Sequence, residues 1–259
     1  MPVDPRFQRL TPLAGVEAVT ALAETSVVII GLGGVGSWCA EALARSGVGK
    51  FTIADSDTVC ITNINRQIHA LNSTIGQSKA CVMAERIKEI NPACEVRALT
   101  ETFFLPERCR EGFAETARRF GIDEADYVID AIDSLKCKLD LIETAATADK
   151  ILFSSMGMAQ RLDPSQIRCA DIWKTSGCPL AKNVRHGLKE RGFNGHFTAV
   201  YSAERIEPMQ GLPDPEPSGK KAMGSAVTVT ASAGLFLASL VIRNRCARIN
   251  NTKPAENTP

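Results

Sequence analysis

The stretch VVIIGLGGVGSW, residues 27–38, joins four β-branched residues to a closely spaced set of glycines and then to a helix-forming run. A short, continuous β-branched run suits a strand buried on both faces, and the glycines turn it sharply into a helix. Gly31, Gly33 and Gly36 have the G-x-G-x-x-G spacing. That spacing serves a tight turn, close approach of backbone to a phosphate, and close packing of helix on strand. N–H groups at the start of such a helix face an anion. Asp55 falls at the end of the next predicted strand, where a carboxylate binds ribose hydroxyls. The motif therefore predicts an adenosine phosphate ligand, of which NAD is the commonest occupant, and by itself does not choose between NAD and ATP.

Outward from this turn, apolar runs alternate with helical patterns. Strands are predicted at 27–30, 50–57, 94–101, 126–133 and 151–156, with helices at 35–46, 79–90 and 135–148. Strands alternating with helices imply parallel βαβ units in a doubly wound, mostly parallel, Rossmann-like α/β sheet. A strand/helix extension follows, with strands at 167–173 and 196–204, a basic helix at 179–191 and an apolar helix at 225–242. The proline- and glycine-rich stretch 208–219 is expected to be a flexible loop. The expected organisation is an arm and short helix in residues 1–24 and a main domain in 25–248. That domain divides into a nucleotide-binding part, 25–160, and a substrate and dimer part, 161–248, ahead of a disordered tail at 249–259.

Composition narrows the class. With 259 residues and 44% hydrophobic content, the chain can bury a full core. Thirty basic against 29 acidic residues leave a net charge of +1, so any nucleic-acid contact must be a local patch. Nine cysteines without a C-x-x-C pair argue against a disulfide framework and against a four-cysteine zinc site, which fits a cytoplasmic protein. No signal-peptide pattern opens the chain. The apolar segment 225–242 is expected to be a buried or dimer-interface helix, with no stable membrane insertion.

The segment DSDTVCITNINRQIHALNSTIGQSKA, residues 55–80, separates the two nucleotides. Asn63, Arg66, Gln67 and Lys79 are polar groups suited to a triphosphate and its pyrophosphate leaving group. DAIDS then places Asp133 just past a predicted parallel strand, where ligands bind in open sheets and where a carboxylate can hold Mg²⁺ against phosphate oxygens. An NAD-dependent oxidoreductase would leave Arg66, Lys79 and Asp133 without a purpose.

Together, GLGGVGS, DSDTVCITNINRQ, IGQSKA and DAIDS resemble the ThiF/MoeB/ubiquitin-activating superfamily of ATP-dependent carboxylate-adenylating enzymes. The resemblance covers roughly residues 6–160. Further segments, RFQRL, NRQIHAL, SSMGMAQRLDPSQIRCADIWKT and PLAKNVRHGLKERG, resemble the branch that dehydrates threonylcarbamoyladenosine in tRNA. The resemblance implies ATP and Mg²⁺ as cofactors, a modified tRNA as partner, and adenylation of the threonyl carboxylate. It also implies that Gly33 and Gly34 approach the phosphates, Asp55 the ribose, and Asn63, Arg66, Gln67 and Lys79 the triphosphate, with Asp133 on the metal. Arg9 matches an N-terminal arginine that reaches the neighbouring subunit's ATP, which implies a homodimer; some relatives also have sulfur-relay partners. The alternative within the superfamily is adenylation of the C-terminal Gly-Gly of a ubiquitin-like sulfur-carrier protein. Its zinc-binding versions carry two C-x-x-C pairs, which this chain lacks.

Two further features remain, the first from spacing and the second from the resemblance. Lys182, Arg185 and Lys189 share one face of the basic helix, with Arg191 nearby, and form a candidate RNA-binding face. Cys178 lies where sulfur-transfer relatives use a cysteine, yet the adenylation chemistry needs no thiol, and the ordinary expectation for it is a small buried hydrophobe.

Overall fold

The computed structural model of the protein describes residues 3–204 and 224–252, with side chains through residue 249. The predicted loop at 208–219 and the last residues of the predicted tail lie outside that range. Seven strands form one sheet: β1 (Ser26–Ile30), β2 (Lys50–Ala54), β3 (Glu95–Leu99), β4 (Tyr127–Asp130), β5 (Ile151–Ser155), β6 (Ile167–Asp171) and β7 (Thr198–Ser202). Their order is β3-β2-β1-β4-β5-β7-β6, with every neighbouring pair parallel except β6 on β7. The direction of winding reverses between β1 and β4, and the crevice outside their carboxyl ends is where an open sheet of this kind binds ligands.

The helices are α1 (Thr11–Ala14), α2 (Val16–Ala23), α3 (Gly36–Arg45), α4 (Lys79–Ile90), α5 (Arg110–Arg119), α6 (Leu135–Thr147), α7 (Pro179–Glu190) and α8 (Val227–Thr252). The two sides of the sheet carry separate cores. Val27 and Ile29 of β1 pack with α3, α4 and α8, whereas Val28 and Ile30 pack with α5, α6 and α7. Burial on both sides is why the VVII run shows no polar alternation.

The structure changes several sequence expectations. The first helix is interrupted at Gly15, giving α1 and α2. Strand β2 ends at Ala54 and β4 at Asp130, so residues 55–57 and 131–133 are loops rather than strand. Helix α5 went unpredicted because REGFAETARR buries only Gly112, Thr116 and Ala117, too narrow an apolar stripe to stand out. β6 stops at Asp171, whose carboxylate accepts the Trp173 N–H at 2.9 Å and starts a tight turn.

Helix α8 continues to Thr252, into the segment expected to be a tail. It is a core helix: Val229, Ala233, Leu237 and Val241 are fully buried at helical spacing. Gly234 permits its close crossing of α3, since a Cβ there would lie 2.4 Å from the Val35 carbonyl oxygen. Gly234→Ala is therefore expected to cost about 1–3 kcal/mol by forcing the helices apart. Urea denaturation checks this, and a variant as stable as the parent would show that the crossing adapts freely.

Candidate active site

The carboxyl ends of β1, β2, β4 and β5 open into a cleft of about 710 Å³. Its floor at the reversal point is bare backbone. Gly31 has φ +91°, and a Cβ there would lie 2.7 Å from the Ala131 carbonyl oxygen; a Cβ at Gly36 would lie 1.8 Å from that of Gly31. Gly33 has nothing within 4 Å of its ideal Cβ and presents its backbone to open space. Gly31, Gly33 and Gly34 line the cleft, while Gly36 supports it from within the turn.

Asp55 holds this turn. Its carboxylate accepts the Leu32 N–H at 2.7 Å on one oxygen and the Asp57 N–H at 2.9 Å on the other. Each oxygen keeps a further lone pair for a ribose hydroxyl. Asn63, Arg66, Gln67 and Lys79 line the same cleft. Arg66 is held by Nη1 donating to the Thr62 carbonyl and to Asn65 Oδ1, both at 2.9 Å, while Asn63 Oδ1 accepts the Cys60 N–H at 3.1 Å. Gln67 is buried with no hydrogen-bond partner for Oε1. Lys79, buried at the start of α4, donates to Asp57 Oδ2 at 2.7 Å. Asp57 was not among the sequence candidates; its neighbour Asp55 in DSD absorbed the reading, and only the fold shows it pairing with Lys79.

Behind these residues His69 is buried with both ring nitrogens unpartnered. Burial first, then the charges of Lys79 and Arg86, push its pKa down from 6.5 to about 4. The unfolded imidazole therefore takes up its proton first as pH falls. The stability contributed by a neutral His69 is complete above about pH 6.5 and is lost progressively towards pH 4, by about 3 kcal/mol. Denaturation between pH 7 and 4 should show this limb, and His69→Gln should flatten it.

Asp133 also lines the cleft, exposed beyond the end of β4 and without a hydrogen-bond or ion-pair partner among the described residues. Among those residues no group of three or more His, Cys, Asp or Glu side chains is arranged to hold a metal. One free carboxylate is nevertheless the donor set that suits Mg²⁺, which keeps most of its waters and takes the rest of its shell from phosphate. The loop bearing Asp133 is anchored below by a buried network that sequence reasoning missed. Lys138 Nζ donates to Asp130 Oδ2 at 2.7 Å and to the Ser155 carbonyl at 2.9 Å, and Asp130 Oδ1 accepts the Ile132 N–H at 3.1 Å. A doubled acid in DAID was the available signal, because an aspartate inside a buried strand requires a partner.

Other candidates lie elsewhere. Arg9 is exposed, away from the residues lining the cleft, and has no partner among the described residues. On α7, Lys182 and Lys189 are exposed. Arg185 donates to Thr175 Oγ1. Arg191 is turned into the fold, bridging Asp140 and Glu143 at 2.8 Å each, so it does not add a free charge to the predicted basic face. Cys178 is buried beside the cleft with its thiol 3.9 Å from the Gly157 carbonyl.

The chain is 44% identical over 199 residues to a tRNA threonylcarbamoyladenosine dehydratase of Bacillus subtilis, covering 77% of this chain and 75% of that one. It is 36% identical to a Haemophilus influenzae protein of the same name, covering 92% of both. The solved structure of the E. coli tRNA N6-threonylcarbamoyladenosine dehydratase in complex with ATP superposes with a TM-score of 0.82 at 34% identity, over 98% of this chain and all of that one. The overall fold is thus shared with that solved structure, and with a ThiF family match running from residue 7 to 254, the chain belongs to the ThiF family.

Proposed function

We propose that this protein is an ATP-dependent dehydratase that acts on threonylcarbamoyladenosine in tRNA. The observation that carries the reading is identity of 36–44% to proteins of that name, joined to a cleft in which one glycine turn, Asp55, Arg66, Lys79 and Asp133 converge. The solved relative that holds ATP supports ATP as the nucleotide here.

A free carboxylate is a poor acyl donor because oxide would have to leave. In the proposed sequence a threonyl carboxylate oxygen attacks the α-phosphorus, the bond to pyrophosphate breaks, and an acyl-adenylate results. The neighbouring carbamoyl group then closes on the acyl carbon and AMP departs, for a net loss of water from the nucleoside. Holding both groups on one nucleoside makes closure intramolecular, worth on the order of 7 kcal/mol when aligned. Arg66 and Lys79 neutralise charge on the departing pyrophosphate, and the Gly33 and Gly34 backbone cradles the phosphates. Asp133 would hold Mg²⁺, whose role is to offset phosphate charge. Lys182 and Lys189 give α7 an exposed basic surface for tRNA phosphates.

The test is a single turnover with ATP, Mg²⁺ and tRNA carrying threonylcarbamoyladenosine, followed by nucleoside mass spectrometry. Loss of one water that depends on ATP is the expected result. An unchanged nucleoside, with ATP–pyrophosphate exchange driven by a Gly-Gly carrier protein, would replace the reading with the sulfur-carrier one.

Arg9, exposed and unpartnered among the described residues, is proposed to complete the site of a second copy. Ile61, Ile64, Leu71 and Ile75, all exposed on the loop after β2, supply apolar surface for such a contact. Arg9→Ala and Arg66→Ala are each expected to be inactive alone and to regain partial activity when co-refolded, since a mixed dimer has one intact site. Absence of complementation would place Arg9 outside the active site.

A further inference from the structure

Among the described residues three lysine or arginine side chains are buried: Lys79, Lys138 and Arg161. Lys79 has Asp57 at 2.7 Å and Lys138 has Asp130 at 2.7 Å. Arg161, 2% exposed, has no carboxylate within ion-pair distance among those residues, and its Nε has no hydrogen-bond partner. Its Nη1 donates to the backbone carbonyl of Glu204, while the Glu204 carboxylate is taken up by the N–H groups of Leu162 and Asp163 at 3.1 Å. A guanidinium cannot shed its proton, so burying it without a counter-ion costs folding energy that a bound anion would return.

The position of Arg161 indicates which anion. It stands in the cleft wall on the segment that leaves β5, together with Met156 and Gln160, at the opposite side of the reversal point from the β2 loop that bears Asn63, Arg66 and Lys79. Gln160, with φ +58°, is tied by its N–H to the Gly224 carbonyl at 2.7 Å, which fixes the approach of the segment to the start of α8. The phosphates have their own cations across the cleft, and the second anion that the reaction brings is a carboxylate. Nη1 is held by the Glu204 carbonyl and Nε has no partner among the described residues, and a carboxylate is an anion that the planar fork of a guanidinium matches with two parallel hydrogen bonds.

We propose that Arg161 binds the acceptor's carboxylate, holding it for attack on the α-phosphorus and selecting acceptors that carry a free acid. This rests on the reading of the cleft as the site of carboxylate adenylation. It makes Arg161 a substrate-binding residue that is costly to the empty protein and useful to the loaded one.

The test uses the full chain with Arg161→Met and Arg161→Lys. The probes are the nucleoside N6-threonylcarbamoyladenosine and its methyl ester, titrated calorimetrically in the presence of a non-hydrolysable ATP analogue, with ATP affinity measured separately. The parent should prefer the acid over the ester by about 10- to 100-fold. Arg161→Met should erase that preference and raise KM for the modified tRNA by a similar factor, with ATP affinity unchanged and the Tm of the unliganded variant no lower than the parent's. Arg161→Lys, which keeps the charge and loses the fork, should fall between. Weakened ATP binding with an intact acid preference would assign Arg161 to the nucleotide instead, and a lowered Tm with unchanged KM would make it structural; either overturns the proposal while the dehydratase reading stands. A parent that never removes water from the nucleoside overturns both.

Discussion

Asp133→Ala is expected to slow ATP-dependent dehydration by about 10³-fold or more, the scale on which electrostatic stabilisation of phosphoryl transfer operates. Its carboxylate is exposed, lies in the cleft just past β4, and makes no hydrogen bond or ion pair with another described residue. Removing it leaves no buried group stranded, so the thermal midpoint should move by less than about 2 °C. The effect should therefore fall on turnover and on the Mg²⁺ concentration needed for half-maximal rate. Asp133→Asn should behave like the alanine variant, because the amide keeps the shape and loses the charge. Single-turnover rates across a Mg²⁺ titration make the comparison. Retention of more than a tenth of parental activity at low Mg²⁺ would remove Asp133 from the proposed metal site.

The second large effect is on folding. Lys138→Met should cost about 3–5 kcal/mol, because it leaves the Asp130 carboxylate fully buried with its cation gone. For a chain of this length that is a fall in thermal midpoint on the order of 10 °C. Asp130→Leu added to Lys138→Met should recover much of the loss, since replacing both members of a buried pair by apolar groups is far less damaging than removing one. Chemical denaturation of the two variants beside the parent decides it. A single variant within 1 kcal/mol of the parent would mean that water reaches Asp130 and that the network does not anchor the loop bearing Asp133. The two experiments separate a group that acts on ligand from one that only positions it: the same short DAID segment supplies both, one exposed and one sealed.

DAID also shows how far residue order carries. The strand preceding it was legible because β-branched residues buried on both faces leave a continuous apolar run. The candidate Asp133 was legible because ligands collect past the ends of such strands. That Asp130 would be tied to Lys138 and Ser154 was not, since the tie crosses from β4 to α6 and β5. Helix α5 escaped for a related reason, since its few buried residues carry little periodicity and its position is set by packing on α6.

Arg191 was read as a free cation on a basic helix face and is instead spent on Asp140 and Glu143, 51 and 48 residues away in sequence. Lys79 was read as a phosphate group's partner; it lines the cleft, and what residue order did not show is that it is also paired there with Asp57, 22 residues away. Arg161 attracted no notice within QRLDP, where an arginine beside an aspartate looks like a solvated pair; among the described residues that arginine has a backbone carbonyl and no acid.

By itself, then, the order of residues determined the glycine turn, the alternation of strands and helices, and the set of polar groups delivered to one end of the sheet. Those features follow from sterics and burial acting on neighbouring residues. Tertiary structure decided which of the charges are paired, which are sealed and which remain open to a ligand, because a charge is settled by whatever the sheet and helices bring within about 4 Å of it, and that distance is unrelated to separation along the chain.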